Sequence, residues 1–430
     1  MLWRAECPSA SLVLEGRVVD PGEGLDVCLR VVVTDGMITA LEPGSDSALL
    51  VAPAFVDTHV HLRTPGREDE ETIATGTAAA AAGGYCAIVG MPNTEPVVDS
   101  AAVLGALIEL ARDEAVVPTG FMAAITKGQR GEELAEMAEL AALGAVAFTD
   151  DGRPVASAGM MRNALCYSAV AGRPLALHEE EPTLSRDGQM HEGAVSAELG
   201  LAGWPSLAET LMIERDLALA AYERRHVHIM HVSAAGSVAA VRAAKARGVA
   251  VTAEVTPHHL CITDEAVRTL DPNMKMNPPL RTQADRDALI EGLLDGTLDC
   301  VATDHAPHAR HEKDAPFEEA PFGVTGLETS FAALYTTLVE PGLVDLATLL
   351  ERMSAGPARA LGLPLPRIRV GEQANVVMID PEAEWEVREE VFRSRSVNSW
   401  LLGERLRGRV VRTVADGRLA HDFAAVGSAR

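Results

Sequence analysis

The chain has 430 residues, 47% of them hydrophobic and 23% charged, with a formal net charge of −25. Such a balance suits a soluble globular protein with a large core and room for two or three domains. It argues against nucleic acid as a partner, which needs clustered Lys and Arg, and no run of about 18 apolar residues marks a membrane span. The start, Met1-Leu2-Trp3-Arg4-Ala5-Glu6, lacks the basic-then-apolar pattern of a secretory signal. Six dispersed cysteines without a Cys-x-x-Cys pair read as reduced thiols, so a cytoplasmic protein is expected. The negative charge would repel an anionic substrate at long range, so local cations would have to overcome it. Only four lysines are present: Lys127, Lys245, Lys275 and Lys313.

In chain order, residues 12–19 and 27–34 are rich in β-branched side chains and bounded by Asp20-Pro21-Gly22 and Asp35-Gly36, which predicts strands. Near the C-terminus, residues 375–379, 397–402 and 409–414 read the same way. Neither end carries enough strand to stand alone, so one small β-domain from both termini is expected. Between them the predicted strands are 50–56, 86–91, 117–124, 145–149, 174–178, 227–232, 249–255 and 299–303. The segments between are mostly Ala-, Leu- and Glu-rich at helical spacing, such as 132–142 and 234–247. Near-continuous apolar runs fit strands buried on both faces. The series predicts a (β/α)8 barrel rather than a doubly wound sheet, since no Gly-x-Gly-x-x-Gly follows an early strand. The expected organisation is 1–52 and 365–430 as the two parts of the β-domain, with 53–364 as the barrel.

Acid and imidazole groups gather at the downstream ends of these strands. His59 and His61 close the first, two apart on an extended segment, so both point to one side and can chelate one metal. Asp150 and Asp151 close the fourth, and one of them can point inward. His178 closes the fifth. Alternation places His231 opposite His226 and His228, and its position at the strand end favours it as the ligand; the other two are expected on the helix side or the surface. Asp304 ends the eighth. Any one of these histidines alone would be a hydrogen-bonded core residue, but five strand ends in order point to a metal site. Four imidazoles and two carboxylates suit a pair of divalent ions, with zinc the default. In many enzymes of this kind a carboxylated lysine on the fourth strand bridges the metals. No lysine lies between Lys127 and Lys245, and Asp151 is the available substitute.

Other loops supply candidate substrate contacts. Arg63 can fork onto a carboxylate, while Asn93 and Asn277, in Met91-Pro92-Asn93-Thr94 and Met276-Asn277-Pro278-Pro279, follow the second and seventh strands. By default such asparagines form turns. The stretch 305–323 is punctuated by proline and has no period, which suggests an active-site lid. His258 and His259 read as supporting or packing residues.

Asp57-Thr58-His59-Val60-His61-Leu62-Arg63-Thr64-Pro65-Gly66, Phe148-Thr149-Asp150-Asp151-Gly152, Glu254-Val255-Thr256-Pro257-His258-His259-Leu260, Asn277-Pro278-Pro279-Leu280-Arg281, Asp304-His305-Ala306-Pro307-His308 and Pro321-Phe322-Gly323-Val324 together resemble a class I dihydroorotase of the amidohydrolase superfamily. The resemblance covers nearly the whole chain and implies a (β/α)8 TIM-type barrel with a small β-sandwich domain. It implies two Zn2+ ions bridged by Asp151 and hydroxide: His59, His61, Asp151 and Asp304 at one, Asp151, His178 and His231 at the other. It further implies that His61, Arg63, Asn93, Asn277, His308 and the Phe322-Gly323 backbone bind substrate, with Asp304 as proton shuttle. The implied reaction is the reversible cyclisation of N-carbamoyl-L-aspartate to L-dihydroorotate in pyrimidine synthesis. A homodimer is the implied assembly, and some relatives associate with aspartate transcarbamoylase. The rivals are a hydantoinase or allantoinase, which usually rely on the absent lysine, and a scaffold without activity, which would be expected to have lost ligands.

Overall fold

The computed structural model describes residues 1–423, so the last part of the expected β-domain, 424–430, lies outside the described residues. Four strands open the chain: β1 (Leu12–Asp20), β2 (Leu25–Thr34), β3 (Met37–Pro43) and β4 (Leu50–Pro53). Then come β5 (Phe55–Val60), β6 (Tyr85–Gly90), β7 (Thr119–Phe121), β8 (Leu175–Leu177), β9 (Met190–His191), β10 (Gly203–Trp204), β11 (Val227–Ile229), β12 (Val251–Val255) and β13 (Cys300–Val301). Three strands close it: β14 (Val376–Glu386), β15 (Arg405–Ala415) and β16 (Arg418–Asp422).

The two chain ends share one seven-stranded sheet in the order β16-β15-β14-β4-β1-β2-β3. Its Asp35-Gly36 and Asp416-Gly417 turns meet, and a Cβ on Gly36 would lie 2.9 Å from the Gly417 carbonyl oxygen. Both glycines have positive φ, which other residues adopt only under strain. Leu14, Val18, Val31, Ile38, Val376 and Met378 fill the core of this unit.

The barrel strands run parallel, β5-β6-β7 on one side and β8-β11-β12-β13 on the other. Residues 145–149 complete the circle through single bridges, Ala123 to Phe148 and Phe148 to Leu175, and a Val60–His305 bridge closes it. Every residue of β5 and β6 is buried, as strands covered on both faces require.

Three sequence expectations need correction. The predicted strand 50–56 is two strands: β4 pairs with β1 and β14 in the terminal sheet, and β5 begins the barrel after Ala54. Residues 397–402 are not a strand: 397–399 are irregular and 400–402 form a turn, with Asn398 spending its side-chain hydrogen bonds on neighbouring loops. The helix expected over 132–142 is confined to Met137–Leu143. Before it the chain doubles back, pairing Thr126 with Leu134 and donating Ala135 N–H to Ile125, which leaves no helical bonds to make. The helix expected over 234–247 is found at Ala235–Ala246.

Candidate active site

The strand ends converge on Asp151. Its Oδ1 lies 3.6 Å from His59 Nε2, 3.6 Å from His178 Nδ1 and 3.9 Å from His231 Nε2, and its Oδ2 lies 3.5 Å from His61 Nε2. Asp304 Oδ1 is 3.0 Å from His61 Nε2 and 3.4 Å from His59 Nε2. The six side chains predicted as ligands are thus brought together, all buried. Two overlapping trios, His59-His61-Asp151 and Asp151-His178-His231, each hold their donor atoms within 4.8 Å of one another.

The outer nitrogens of three imidazoles are already committed. His59 Nδ1 donates to Glu254 (2.8 Å), His61 Nδ1 to the Asn93 side-chain oxygen (2.9 Å), and His178 Nε2 to Glu180 (3.1 Å). Each tautomer therefore leaves a lone pair aimed inward, and His59 Nε2 is buried without a hydrogen-bond partner. The electrostatics of the cluster favour positive charge at this point. Burial opposes a charged imidazole, yet Asp304 and Asp151 hold His59 well above its ordinary value, and Asp151 and Glu180 lift His178 to about 10. Burial would raise the carboxylates, but His178, His231 and His59 hold Asp151 well below its usual range, and His59 and His61 bring Asp304 down to about 2. The centre demands positive charge, and these donors fit a pair of divalent cations sharing Asp151.

Backbone strain gathers here. Arg63, His231 and Asp304 all have positive φ, of 57°, 33° and 49°. Conformations of this kind cost about 1–3 kcal/mol each and persist where surrounding structure imposes them. At His231 the turn out of β11 defeats simple alternation. His231 reaches the centre as expected, but His228 also points inward, fully buried, with Nε2 donating to Glu254 (2.9 Å). The expectation that His228 faces helices or solvent is therefore corrected. His226 stays apart, bonded to Thr252. His258 and His259 are both buried; His259 bonds Thr256 and the Pro278 carbonyl. Asp150 turns away from the centre, accepting from the Ile125 and Thr126 amides.

Above the donors lies a cavity of about 180 Å³, bordered by Arg63, Asn93, Asn277, His308, Phe322 and Gly323. Asn93 Nδ2 donates to Asp151 (3.0 Å), so this residue touches both the donors and the cavity. Asn277 Nδ2 donates to Glu180 (3.3 Å), while its side-chain oxygen is buried without a partner. Arg63 pairs with Glu70 (2.9 Å) and donates to the Pro307 carbonyl (3.1 Å). His308 Nε2 donates to the Phe322 carbonyl (2.8 Å). Glu254, Glu180, Glu70 and His228 carry no role in the sequence reading. The available signal was a titratable residue inside an apolar strand, which must find a partner when buried.

A parallel barrel whose strand ends focus histidines and aspartates on one point, below a polar cavity, is the architecture of a hydrolase of the amidohydrolase superfamily. A family model described as dihydro-orotase-like matches residues 48–237. The dihydroorotase of Citrifermentans bemidjiense is 46% identical over 420 residues, covering 95% of this chain and 99% of its own. That of Anaeromyxobacter dehalogenans strain 2CP-C is 46% identical over 419 residues, covering 95% and 96%. The chain belongs to the dihydroorotase family. Among solved structures, an L-hydantoinase (dihydropyrimidinase) from Arthrobacter aurescens has a TM-score of 0.84 at 24% identity, covering 95% of each chain, a likeness of fold alone. Among the described residues no helix is long and apolar enough to cross a membrane.

Proposed function

We propose that this protein is a dihydroorotase that interconverts N-carbamoyl-L-aspartate and L-dihydroorotate through a pair of divalent metal ions, zinc by donor type. The observation that carries the reading is the focus of four imidazoles and two carboxylates on Asp151, beneath a cavity bordered by Arg63 and His308. Relatives of that name at 46% identity over 95% of the chain support the same reaction. The hydantoinase alternative loses ground because the fourth strand offers Asp151 and no lysine.

His59, His61, Asp151 and Asp304 would hold one ion, and Asp151, His178 and His231 the other. When bound, such ions lower the pKa of water from about 15.7 towards about 7 and polarise a carbonyl oxygen. In the hydrolytic direction Asp304, free of its proton over the physiological range, takes the proton of the attacking water and passes it to the departing ring nitrogen. Glu254, Asn93 and Glu180 keep the imidazoles in the tautomer the donors need. Arg63, Asn277, His308 and the Phe322-Gly323 backbone orient the substrate carboxylate. Ring opening turns a monoanion into a dianion and releases one proton, so hydrolysis is favoured as pH rises.

The test is turnover by purified protein of carbamoyl-aspartate, dihydroorotate, hydantoin and allantoin, with metal content measured on the same sample. Turnover of the first two with bound metal is expected. Turnover of hydantoin or allantoin without dihydroorotate would overturn the assignment.

A further inference from the structure

Two of the four lysines, Lys275 and Lys313, are buried, at 2% and 8% exposure. Both amines bond only backbone carbonyls. Lys275 Nζ donates to Phe317 (2.7 Å) and Glu318 (3.1 Å), and Lys313 Nζ to Pro272 (3.0 Å) and Pro321 (2.9 Å). Among the described residues neither forms an ion pair, whereas Arg63 is partly offset by Glu70. The Lys275 amine also lies 4.7 Å from the centre of the Phe322 ring, and its own carbonyl accepts from Gly323 N–H (2.9 Å). Phe322 and Gly323 border the substrate cavity. Two buried amines with no ion-pair partner among the described residues therefore stand behind one wall of it, in a chain of net charge −25.

We infer that Lys275 and Lys313 make this wall positive and bias the cavity towards the doubly charged member of the reaction pair, carbamoyl-aspartate, over singly charged dihydroorotate. The inference rests on the reaction proposed above. Burial is the main influence on both amines, bringing Lys275 down to about 8 and Lys313 to about 7. The facing charges are Glu318 for Lys275, and Lys275, Asp271, Glu312 and Arg63 for Lys313. A buried amine without an ion-pair partner gains from a nearby anion, and a second negative charge on the ligand adds to that attraction.

Because the reaction equilibrium ties kcat/KM in the two directions together, binding of unreactive probes is the cleaner readout. N-acetyl-L-aspartate, a dianion that cannot cyclise, and orotate, a monoanion, serve as competitive inhibitors of dihydroorotate hydrolysis. Lys275→Met and Lys313→Met should each weaken the dianion about tenfold more than the monoanion. Lys275→Arg should restore the ratio, and added salt should shrink the difference. Equal weakening of both probes, or none, would overturn the inference and leave the lysines as loop tethers. If the Met variants do not fold, the unaltered protein decides: the preference for the dianion should fall as pH rises through about 7 and about 8, and a flat ratio refutes the proposal. Failure of the protein to turn over either natural substrate refutes the reaction itself. Normal turnover with an unchanged probe ratio refutes only the role of the lysines.

Discussion

The two walls of the cavity are held by different means. On the donor side, side chains hold side chains: Glu254 grips His59 and His228, Asn93 joins His61 to Asp151, and Glu180 fixes His178. On the loop side, side chains hold backbone. Lys275, Lys313, His308 and Asn398 all bond carbonyls, those of Phe317, Pro321, Phe322 and Gly323 among them. The physical reason is that strands satisfy their own backbone, whereas an irregular loop leaves buried carbonyls that must find donors elsewhere. Changes on the first wall should therefore cost chemistry or metal, and changes on the second should cost substrate affinity.

The sharpest way to break that contrast is at Asp304. Asp304→Asn should keep bound metal and lower kcat by about 10²–10⁴-fold, the usual worth of a positioned proton carrier. Steady-state kinetics alongside metal analysis checks this, and near-normal turnover would remove Asp304 from proton transfer. Next is Glu254→Gln, whose single carbonyl oxygen cannot accept from His59, His228 and Thr58 together. Metal affinity should fall about 10–100-fold, read by competition with a chelator. The smallest effect is expected at Asn398, which accepts from His308 N–H (3.0 Å) and donates to the Ala306 (3.1 Å) and Gly323 (3.2 Å) carbonyls. Asn398→Ala should raise KM and cost about 1–3 kcal/mol of stability, with metal content unchanged. Loss of metal in that variant would mean that the two walls are not independent.

Much of the donor wall was legible in the chain alone. Apolar runs ending in His59, His61, His178, His231 and Asp304 reveal which residues lie at strand ends, because the strand period and the strand terminus are both local properties. The absence of lysine between Lys127 and Lys245 directed attention to an aspartate for the centre. The sheet shared by both termini was likewise visible in two groups of short β-branched runs. What the sequence could not determine was who meets whom. His59 and Glu254 are 195 residues apart, and their pairing exists only because the barrel closes. Alternation puts His228 and His231 on opposite faces, yet both face inward, and the positive φ at His231 marks where the strand period breaks. Nothing local in the chain marks Lys275 and Lys313 as buried. Periodicity encodes which side of an element is buried, but only tertiary structure decides which carbonyls a loop leaves unpaired and which amines must answer them.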